Sequence, residues 1–176
     1  KVRNQYETNP YPRWVNLGLP NDGTSISEFT QLQIYDQNIK KIKTPSILIA
    51  GCGTGQHSIF EAKRFKNSNV IALDLSLSSL AYAIRKTKEL KLNNIKYIQG
   101  DILNLHNLKN QFDIIESVGV LHHMKDPMEG WQNLTSCLKK GGLIRIGLYS
   151  KIARRYIVNI RNDIKELEIM SNDIAM

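Results

Sequence analysis

Residues 47–56 read ILIAGCGTGQ, an apolar run followed at once by three glycines at alternate positions. A short run without polar residues is typical of a strand that is buried on both faces of a parallel sheet. A glycine-rich loop between such a strand and a helix lets the backbone approach a ligand closely. The segment therefore predicts the first strand, the ligand-binding loop and the first core helix of an α/β protein.

The chain after this segment alternates between strand and helix patterns. Apolar runs predict four more strands, over 70–73, 95–98, 112–117 and 143–148. Helices are expected over 56–66, over 76–90 with Ser76 as N-cap, from Asp126-Pro127 to Gly141-Gly142, and over 152–170. The helix after Ser76 is expected to bury Leu77, Leu80, Ala81 and Ile84. This order predicts a doubly wound, mostly parallel sheet, which binds ligands at the carboxyl ends of its strands.

The first 44 residues are set apart from this core, which we place at residues 45–176 of a one-domain chain. Residues 1–20, called the N-terminal arm from here on, are rich in proline and aromatic residues and predict an extended path. Residues 28–42 predict a helix that ends before Pro45. Because the sequence starts without Met, we expect it to be part of a longer polypeptide with further domains as partners.

Composition excludes several classes of protein. No apolar run approaches the roughly 18 residues of a membrane span. The formal charge of +8 is spread over short separate clusters, which argues against a nucleic-acid-binding protein. Cys52 and Cys137 form no CxxC pair, so neither a disulfide framework nor a metal site is expected, and a reducing cytoplasm fits best.

Two aspartates follow the second and third predicted strands. Asp74 lies 21 residues after Gly53, where a carboxylate can accept hydrogen bonds from a ribose diol. Asp101 can accept from an exocyclic amine such as that of adenine, with Ile102 framing the ring. The alternative for each is a plain turn or capping residue. The GxGxG spacing differs from the GxGxxG fingerprint of dinucleotide-binding proteins, which argues against a nicotinamide-dependent oxidoreductase.

From Ser46 to Tyr149 the sequence resembles the class I S-adenosylmethionine-dependent methyltransferases. ILIAGCGTGQ, LDLS, GDIL, FDIIESVGVLHHMKDP and LKKGGLIRIGLYS are similar to the strand and loop motifs of that family. The opening YETNPYPRW also looks like bacterial methyltransferase domains attached to tetratricopeptide-repeat arrays. The resemblance implies a Rossmann-like core and S-adenosyl-L-methionine as cofactor, with S-adenosyl-L-homocysteine as product. It implies cofactor contacts from Gly51, Cys52, Gly53, Gly55, Gln56, Asp74, Leu75, Asp101, Ile102, Ser117 and Val118.

Two departures from the family pattern stand out. Ile49 occupies a position where most members carry an acid, so the methionine end of the cofactor lacks one usual contact, and Gln56 or the arm is expected to replace it. We expect the arm to fold over this end and Arg13 to bind the cofactor carboxylate; the alternative is that Trp14 seals the core and Arg13 is solvated. The last two strands of the family sheet are not visible, so either the chain is truncated or its last helix caps the sheet unaided.

Methyl transfer depends chiefly on the alignment of nucleophile and methyl group in a dry pocket. Where the acceptor must lose a proton, the candidate bases are Glu116, His122 and His123, near the end of the fourth strand. The alternative is that the histidines cap or pack under a turn. The leading interpretation is a methyltransferase that acts on a small molecule or on a group presented by a partner domain. A cofactor-binding scaffold without catalysis and, less favoured, a nicotinamide-dependent oxidoreductase stay open.

Overall fold

A computed structural model describes residues 2–29, 37–65, 67–150 and 152–166. Its strands are β1 Ser46–Ala50, β2 Asn69–Asp74, β3 Ile95–Gln99, β4 Phe112–Val118 and β5 Leu138–Gly147. Its α-helices are α1 Val2–Thr8, α2 Ile26–Phe29, α3 Gln56–Arg64, α4 Leu77–Glu89, α5 Pro127–Cys137 and α6 Arg155–Glu166. Short 3-10 helices lie at Gln37–Lys41, Ile102–Asn104, His106–Leu108 and Leu121–His123.

The five strands form one parallel sheet in the order β3-β2-β1-β4-β5. This arrangement confirms the predicted doubly wound sheet. Successive strands run outward on one side of β1 and then on the other, so the strand order reverses between β1 and β4. Crevices at such a reversal are where open α/β sheets bind their ligands.

Apolar side chains cover both faces of the sheet, as expected from strands without polar residues. Along β1, Ile47 and Ile49 point into the cluster on one face, and Leu48 and Ala50 into the cluster on the other. Every residue of β1 after Ser46 is buried. Burial of both faces explains why the run ILIA does not alternate with polar residues.

Asp113 anchors the start of the sheet although it is buried in a strand. Its Oδ2 accepts a hydrogen bond from the backbone N–H of Ser46 at 2.8 Å, and Lys139 Nζ lies 2.9 Å from its Oδ1. A buried carboxylate is costly unless it is paired and hydrogen-bonded, and both conditions hold here. The side chain therefore joins the beginnings of β1 and β5 across β4.

Two helices of the core differ from their predicted form. Ser76 caps α4 as predicted, but of the four side chains expected to be buried only Leu80 is. The helix also buries Ala83 and Thr87, whereas Leu77, Ala81 and Ile84 are exposed. Asp126 caps α5 as predicted, but α5 ends at Cys137 and not at Gly141-Gly142. The two glycines lie inside β5, because a Cβ at Gly142 would be 2.9 Å from the carbonyl oxygen of Asp113 on the neighbouring strand. Close strand contact, and not a turn, explains this glycine.

The arm is not extended throughout, because its first residues form α1. The Glu7 carboxylate accepts hydrogen bonds from the backbone N–H groups of Leu77 and Ser78, both at 2.9 Å. The carbonyl of Tyr6 accepts from Ser76 Oγ at 3.1 Å. A helix of seven residues is marginal alone in water, so these contacts with the start of α4 stabilise it.

Two other predicted helices are changed or only partly described. The pattern at 28–42 corresponds to α2 and to the 3-10 helix Gln37–Lys41, while residues 30–36 lie outside the described ranges. The predicted helix 152–170 begins at Arg155, and its end also lies outside them. The large apolar side chains of α6, among them Tyr156, Val158 and Ile160, are exposed, so the described part of the helix does not cap the sheet. In the residues that can be described, no helix has both the length and the apolar character needed to cross a bilayer.

Candidate cofactor site

A cavity of about 450 Å³ opens at the carboxyl ends of the strands. Its walls are the glycine loop after β1, the ends of β2, β3 and β4, and part of the arm. Pockets for small ligands and cofactors are usually of this size. Its position beside the reversal of strand order is the one that the fold predicts for a ligand.

The glycine loop keeps the backbone close to its neighbours. Gly51, Gly53 and Gly55 all have positive φ angles, of +81°, +53° and +85°. A Cβ at Gly53 would lie 2.7 Å from the carbonyl oxygen of Tyr11 in the arm. The arm therefore occupies the space on this side of Gly53. Gly55 packs against Ala83 of α4 and does not line the cavity, because the chain has already turned into α3.

Asp74 ends β2 and joins two backbone segments at the cavity wall. Its Oδ2 accepts from the N–H of Gly53 at 2.7 Å, and its Oδ1 accepts from the N–H of Ser76 at 2.9 Å. Each carboxylate oxygen can accept more than one hydrogen bond. Asp74 therefore supports the glycine loop and keeps acceptor capacity toward the cavity, which it lines next to Leu75. Its ribose-binding role stays a prediction.

Asp101 and Ile102 line the same cavity after β3. Asp101 Oδ1 accepts from the N–H of Leu103 at 3.0 Å, so the side chain caps the following 3-10 helix. Ile102 is buried. The two positions predicted for adenine recognition are thus adjacent to the predicted ribose site, although the capping alternative also describes Asp101.

The arm covers the cavity with different residues from those expected. Trp14 is buried and its Nε1 donates to the carbonyl of Thr54 at 3.2 Å. Arg13 is exposed and lies outside the cavity lining, because the chain turns inward at Trp14. For these two residues the structure matches the alternative, in which Trp14 seals the core. The arm residues that do line the cavity are Arg3, Tyr6, Tyr11 and Pro12.

The predicted residues near the end of β4 separate into two groups. Val118 and His123 line the cavity. Glu116 and Ser117 do not, because both are buried in the sheet, where Ser117 Oγ donates to the carbonyl of Ala50 at 3.0 Å. His122 is also outside the lining, with its ring 4.1 Å from that of Tyr149, and burial lowers its pKa. Of the three proposed bases, only His123 reaches the cavity directly.

His57 is a cavity residue that sequence reasoning missed. It follows Gln56 in the first turn of α3, and both side chains line the cavity. Its Nε2 shares a hydrogen bond with Glu116 Oε2. The signal was its place directly after the glycine loop, but its partner is 59 residues away and only the sheet brings them together.

His57, Glu61 and Glu116 could supply three ligand atoms to a metal ion, since these atoms lie within 4.8 Å of one another. Burial and then the charge of Glu116 raise the pKa of Glu61. Arg64 Nη1 lies 3.1 Å from Glu61, and Arg145 Nη1 lies 3.5 Å from Glu116. These two guanidinium groups already balance the two carboxylates, which argues against a divalent cation here.

The order of the strands, the glycine loop and the acidic residues at the ends of β2 and β3 define a class of Rossmann-like protein. Proteins of this class bind a nucleoside-containing cofactor but lack the GxGxxG fingerprint of dinucleotide-binding proteins. Residues 47–142, just over half of the 176, match the family described as "Methyltransferase domain". The chain belongs to this family, and S-adenosyl-L-methionine is the cofactor of the class I methyltransferases that it resembles.

Similar curated proteins and a similar solved structure support this assignment. The chain is 30% identical over 118 residues to (S)-coclaurine N-methyltransferase of Papaver somniferum, covering 67% of this chain and 33% of that one. It is 34% identical over 125 residues to an uncharacterized Synechococcus protein, covering 70% of this chain and 30% of that one. A Methanococcus maripaludis structure assigned to the S-adenosyl-L-methionine-dependent methyltransferases has a TM-score of 0.55 and 28% identity, covering 77% of this chain and 64% of that one.

The chain spans about a third of the length of the curated relatives that it matches. The match thus concerns the cofactor-binding core.

Proposed function

We propose that this chain is the cofactor-binding core of an enzyme that transfers a methyl group from S-adenosyl-L-methionine to a small molecule. The observation that carries the proposal is that one cavity brings together the glycine loop, Asp74 and Asp101. These residues come from the ends of three adjacent strands, and no short stretch of sequence contains them all. Val118 and His123, near the end of β4, line the same cavity.

The adenosine half of the cofactor is assigned to the side of β2 and β3. Asp74 accepts from the ribose hydroxyls, and Asp101 with Ile102 contacts the adenine. Gly51, Cys52 and Gly53 border the middle of the ligand, and Gln56 and Val118 border the end that carries the amino acid. This orientation sets the sulfonium near the end of β4.

The acceptor is assigned to the space beside Tyr6, His123 and Tyr149. Its nucleophilic atom attacks the methyl carbon, the carbon–sulfur bond breaks, and the sulfur keeps the bonding pair as a thioether. A proton lost by an alcohol or amine acceptor goes to the imidazole of His123, which lines the cavity. A small organic acceptor with an aromatic or apolar body fits these walls. The named relatives include an (S)-coclaurine N-methyltransferase, a ubiquinone biosynthesis O-methyltransferase and a phosphoethanolamine N-methyltransferase.

The wider organisation is part of the same proposal. Residues 1–44 serve as the arm and helix of a single domain whose core is 45–176. The chain works in the cytoplasm, as a bacterial-type methyltransferase domain of the kind attached to tetratricopeptide repeats, and other domains of a longer polypeptide present or select the acceptor.

Calorimetric titration of the protein with S-adenosyl-L-homocysteine, and separately with NAD, tests the cofactor assignment. We expect binding of the first ligand and none of the second. Asp74→Asn should weaken binding at least tenfold, because hydrogen bonds to a charged group are worth about 1.5–3 kcal/mol. Asp22→Asn, at an exposed carboxylate outside the cavity lining, is the control and should bind normally.

Transfer of a labelled methyl group from S-adenosyl-L-methionine to a panel of amines, phenols and carboxylic acids tests the activity. Transfer to one chemical class would support an enzyme. Cofactor binding with no transfer to any member, in the full-length polypeptide, would favour the scaffold.

A further inference from the structure

His57 and Glu116 form a hydrogen-bonded pair in which the imidazole lines the cavity and the carboxylate is buried behind it. The imidazole lines the cavity with about a quarter of its side chain exposed, at 27%, whereas the Glu116 side chain is 7% exposed. The carboxylate therefore reaches the ligand space only through the imidazole. A buried carboxylate that holds one nitrogen of a histidine fixes the orientation of the ring.

The position of Glu116 in the sheet relates the pair to the acid that is missing at position 49. In the parallel pairing of β1 with β4, Glu116 lies directly beside Ile49. Paired residues on adjacent strands place their side chains on the same face of the sheet. Ile49 is the position where the resemblance led us to expect an acid. The sheet thus supplies a carboxylate one strand away from the place where the acid is missing.

The carboxylates beside the pair are already balanced by guanidinium groups, so hydrogen-bonding capacity and not net charge selects the ligand group here. Glu61 lies on the same side, with its carboxylate 3.8 Å from His57 Nε2. Arg64 and Arg145 contact Glu61 and Glu116 from α3 and β5. When the imidazole is neutral and Nε2–H donates to Glu116, Nδ1 has a free lone pair that can accept a hydrogen bond. An ammonium group is a matching donor of single charge.

From this juxtaposition we infer that the His57–Glu116 pair binds the α-ammonium group of the amino-acid end of the cofactor. The inference rests on the proposed function and refines it. His57 contacts the ligand, and Glu116 is a positioning residue that acts through His57. Neither Gln56 nor Arg13, the replacements expected from sequence for the acid absent at Ile49, is required for this contact.

Three ligands separate the parts of the cofactor that the pair could recognise. S-adenosyl-L-homocysteine carries both the ammonium and the carboxylate. Its decarboxylated analogue keeps only the ammonium, and 5′-methylthioadenosine has neither. Calorimetric titration of each ligand into the whole protein measures how much affinity each group adds.

The variants are His57→Ala and Glu116→Gln, with His106→Ala and Glu129→Gln as controls, because both control residues are exposed and outside the cavity lining. We expect His57→Ala to weaken binding of the first two ligands at least tenfold and to change methylthioadenosine binding less than twofold. Glu116→Gln should shift the affinities in the same direction. The controls should match the wild type for all three ligands.

Several outcomes would overturn the inference. Equal losses for all three ligands in His57→Ala would mean a general loss of the pocket, and a loss for S-adenosyl-L-homocysteine alone would assign the pair to the carboxylate. Binding by the wild type that disappears with EDTA would assign it to a metal ion. If Glu116→Gln lowers Tm sharply, His57→Ala and His57→Gln alone decide, since His57 is partly exposed. Failure of all three ligands to bind the wild type would instead contradict the proposed function.

Discussion

At the scale of single residues, the glycine loop is held in shape by contacts that the sequence does not reveal. Gly53 has a positive φ, and a Cβ there would meet the Tyr11 carbonyl, which belongs to the arm. Gly119 also has a positive φ, of +76°, but a Cβ there would find no atom within 4 Å. A side chain at Gly119 would therefore meet only the strain of a positive φ, whereas a side chain at Gly53 would meet that strain and a steric clash as well.

Gly53→Ala and Gly119→Ala should differ in stability for this reason. Gly119→Ala should cost about 1–2 kcal/mol, the usual penalty for an L-residue in the left-handed region. Gly53→Ala adds overpacking against a backbone oxygen and should cost about 2–4 kcal/mol in total. Urea unfolding of both variants measures the difference. Equal losses of free energy of unfolding would show that the arm moves away from a side chain at residue 53 without loss of stability.

Sequence reasoning identified cavity residues whose position depends on the local pattern, and it missed those whose role depends on a distant partner. Asp74 and Asp101 were correctly placed at one edge of the sheet because each stands at the end of a strand, and both line the cavity, while their contacts with a cofactor stay predictions. His57 was missed because its significance comes from Glu116 on another strand. Glu116 was proposed as a base because it stands near the end of β4, but strand pairing turns it toward β1 and α3 and away from the open cavity.

At the scale of elements, α1 is attached to the start of α4 by one side chain. Glu7 accepts two backbone hydrogen bonds from Leu77 and Ser78, and these bonds lower its pKa from 4.5 to about 2. A carboxylate whose pKa is lower in the folded state stabilises that state above its unfolded pKa and loses this contribution as the pH falls. The contribution should therefore disappear between about pH 4.5 and pH 2.

Glu7→Gln tests this attachment. The wild type should lose more free energy of unfolding between pH 6 and pH 3 than the variant does, because only the wild type protonates this group. Urea titrations at the two pH values measure the difference, with Asp22→Asn as a control that should behave like the wild type. If the free energy of unfolding changes with pH equally in Glu7→Gln and the wild type, protonation of Glu7 does not contribute to the loss of stability in acid.

The element boundaries that were predicted well and badly have a common physical basis. Strands β1, β2 and β4 were located because their burial selects mostly apolar residues. Strand β3 lies at the edge of the sheet and is only partly buried, but Ile95, Tyr97 and Ile98 still marked it. Helix α1 was missed because it has no apolar stripe of its own and depends on partners about 70 residues further along the chain. The early end of α5 was missed because two glycines usually mark a turn. Here Gly142 permits β5 to pass close to β4, and Gly141, with a φ of +78°, lies where the pairing of these strands shifts register.

At the scale of the whole molecule, the net charge of +8 remains spread out. Basic residues lie on separate elements, among them Lys40 and Lys41 in a 3-10 helix, Lys86 in α4 and Arg155 in α6. Dispersed charge attracts a polyanion without forming a specific site.

Binding to generic duplex DNA or RNA should thus be weak and should fall steeply between 50 and 200 mM salt. A filter-binding titration at several salt concentrations measures this dependence, and tight retention at high salt would show a dedicated nucleic-acid surface. Lys40→Ala with Lys41→Ala would then be the first variants to examine.

The contacts of the arm also have a consequence for the order of events during synthesis. Glu7 leaves the ribosome before its partners Leu77 and Ser78, which are some 70 residues behind it. At about 5–20 residues per second, the arm waits roughly 4–14 s before α4 exists to receive it. Tyr11 and Gly53 have both been made some 25 residues before Ser78, so the arm and the glycine loop can already contact each other during the last part of that interval. In the nascent chain, Tyr11 can therefore pack against the glycine loop a few seconds before α4, which binds Glu7, has been translated.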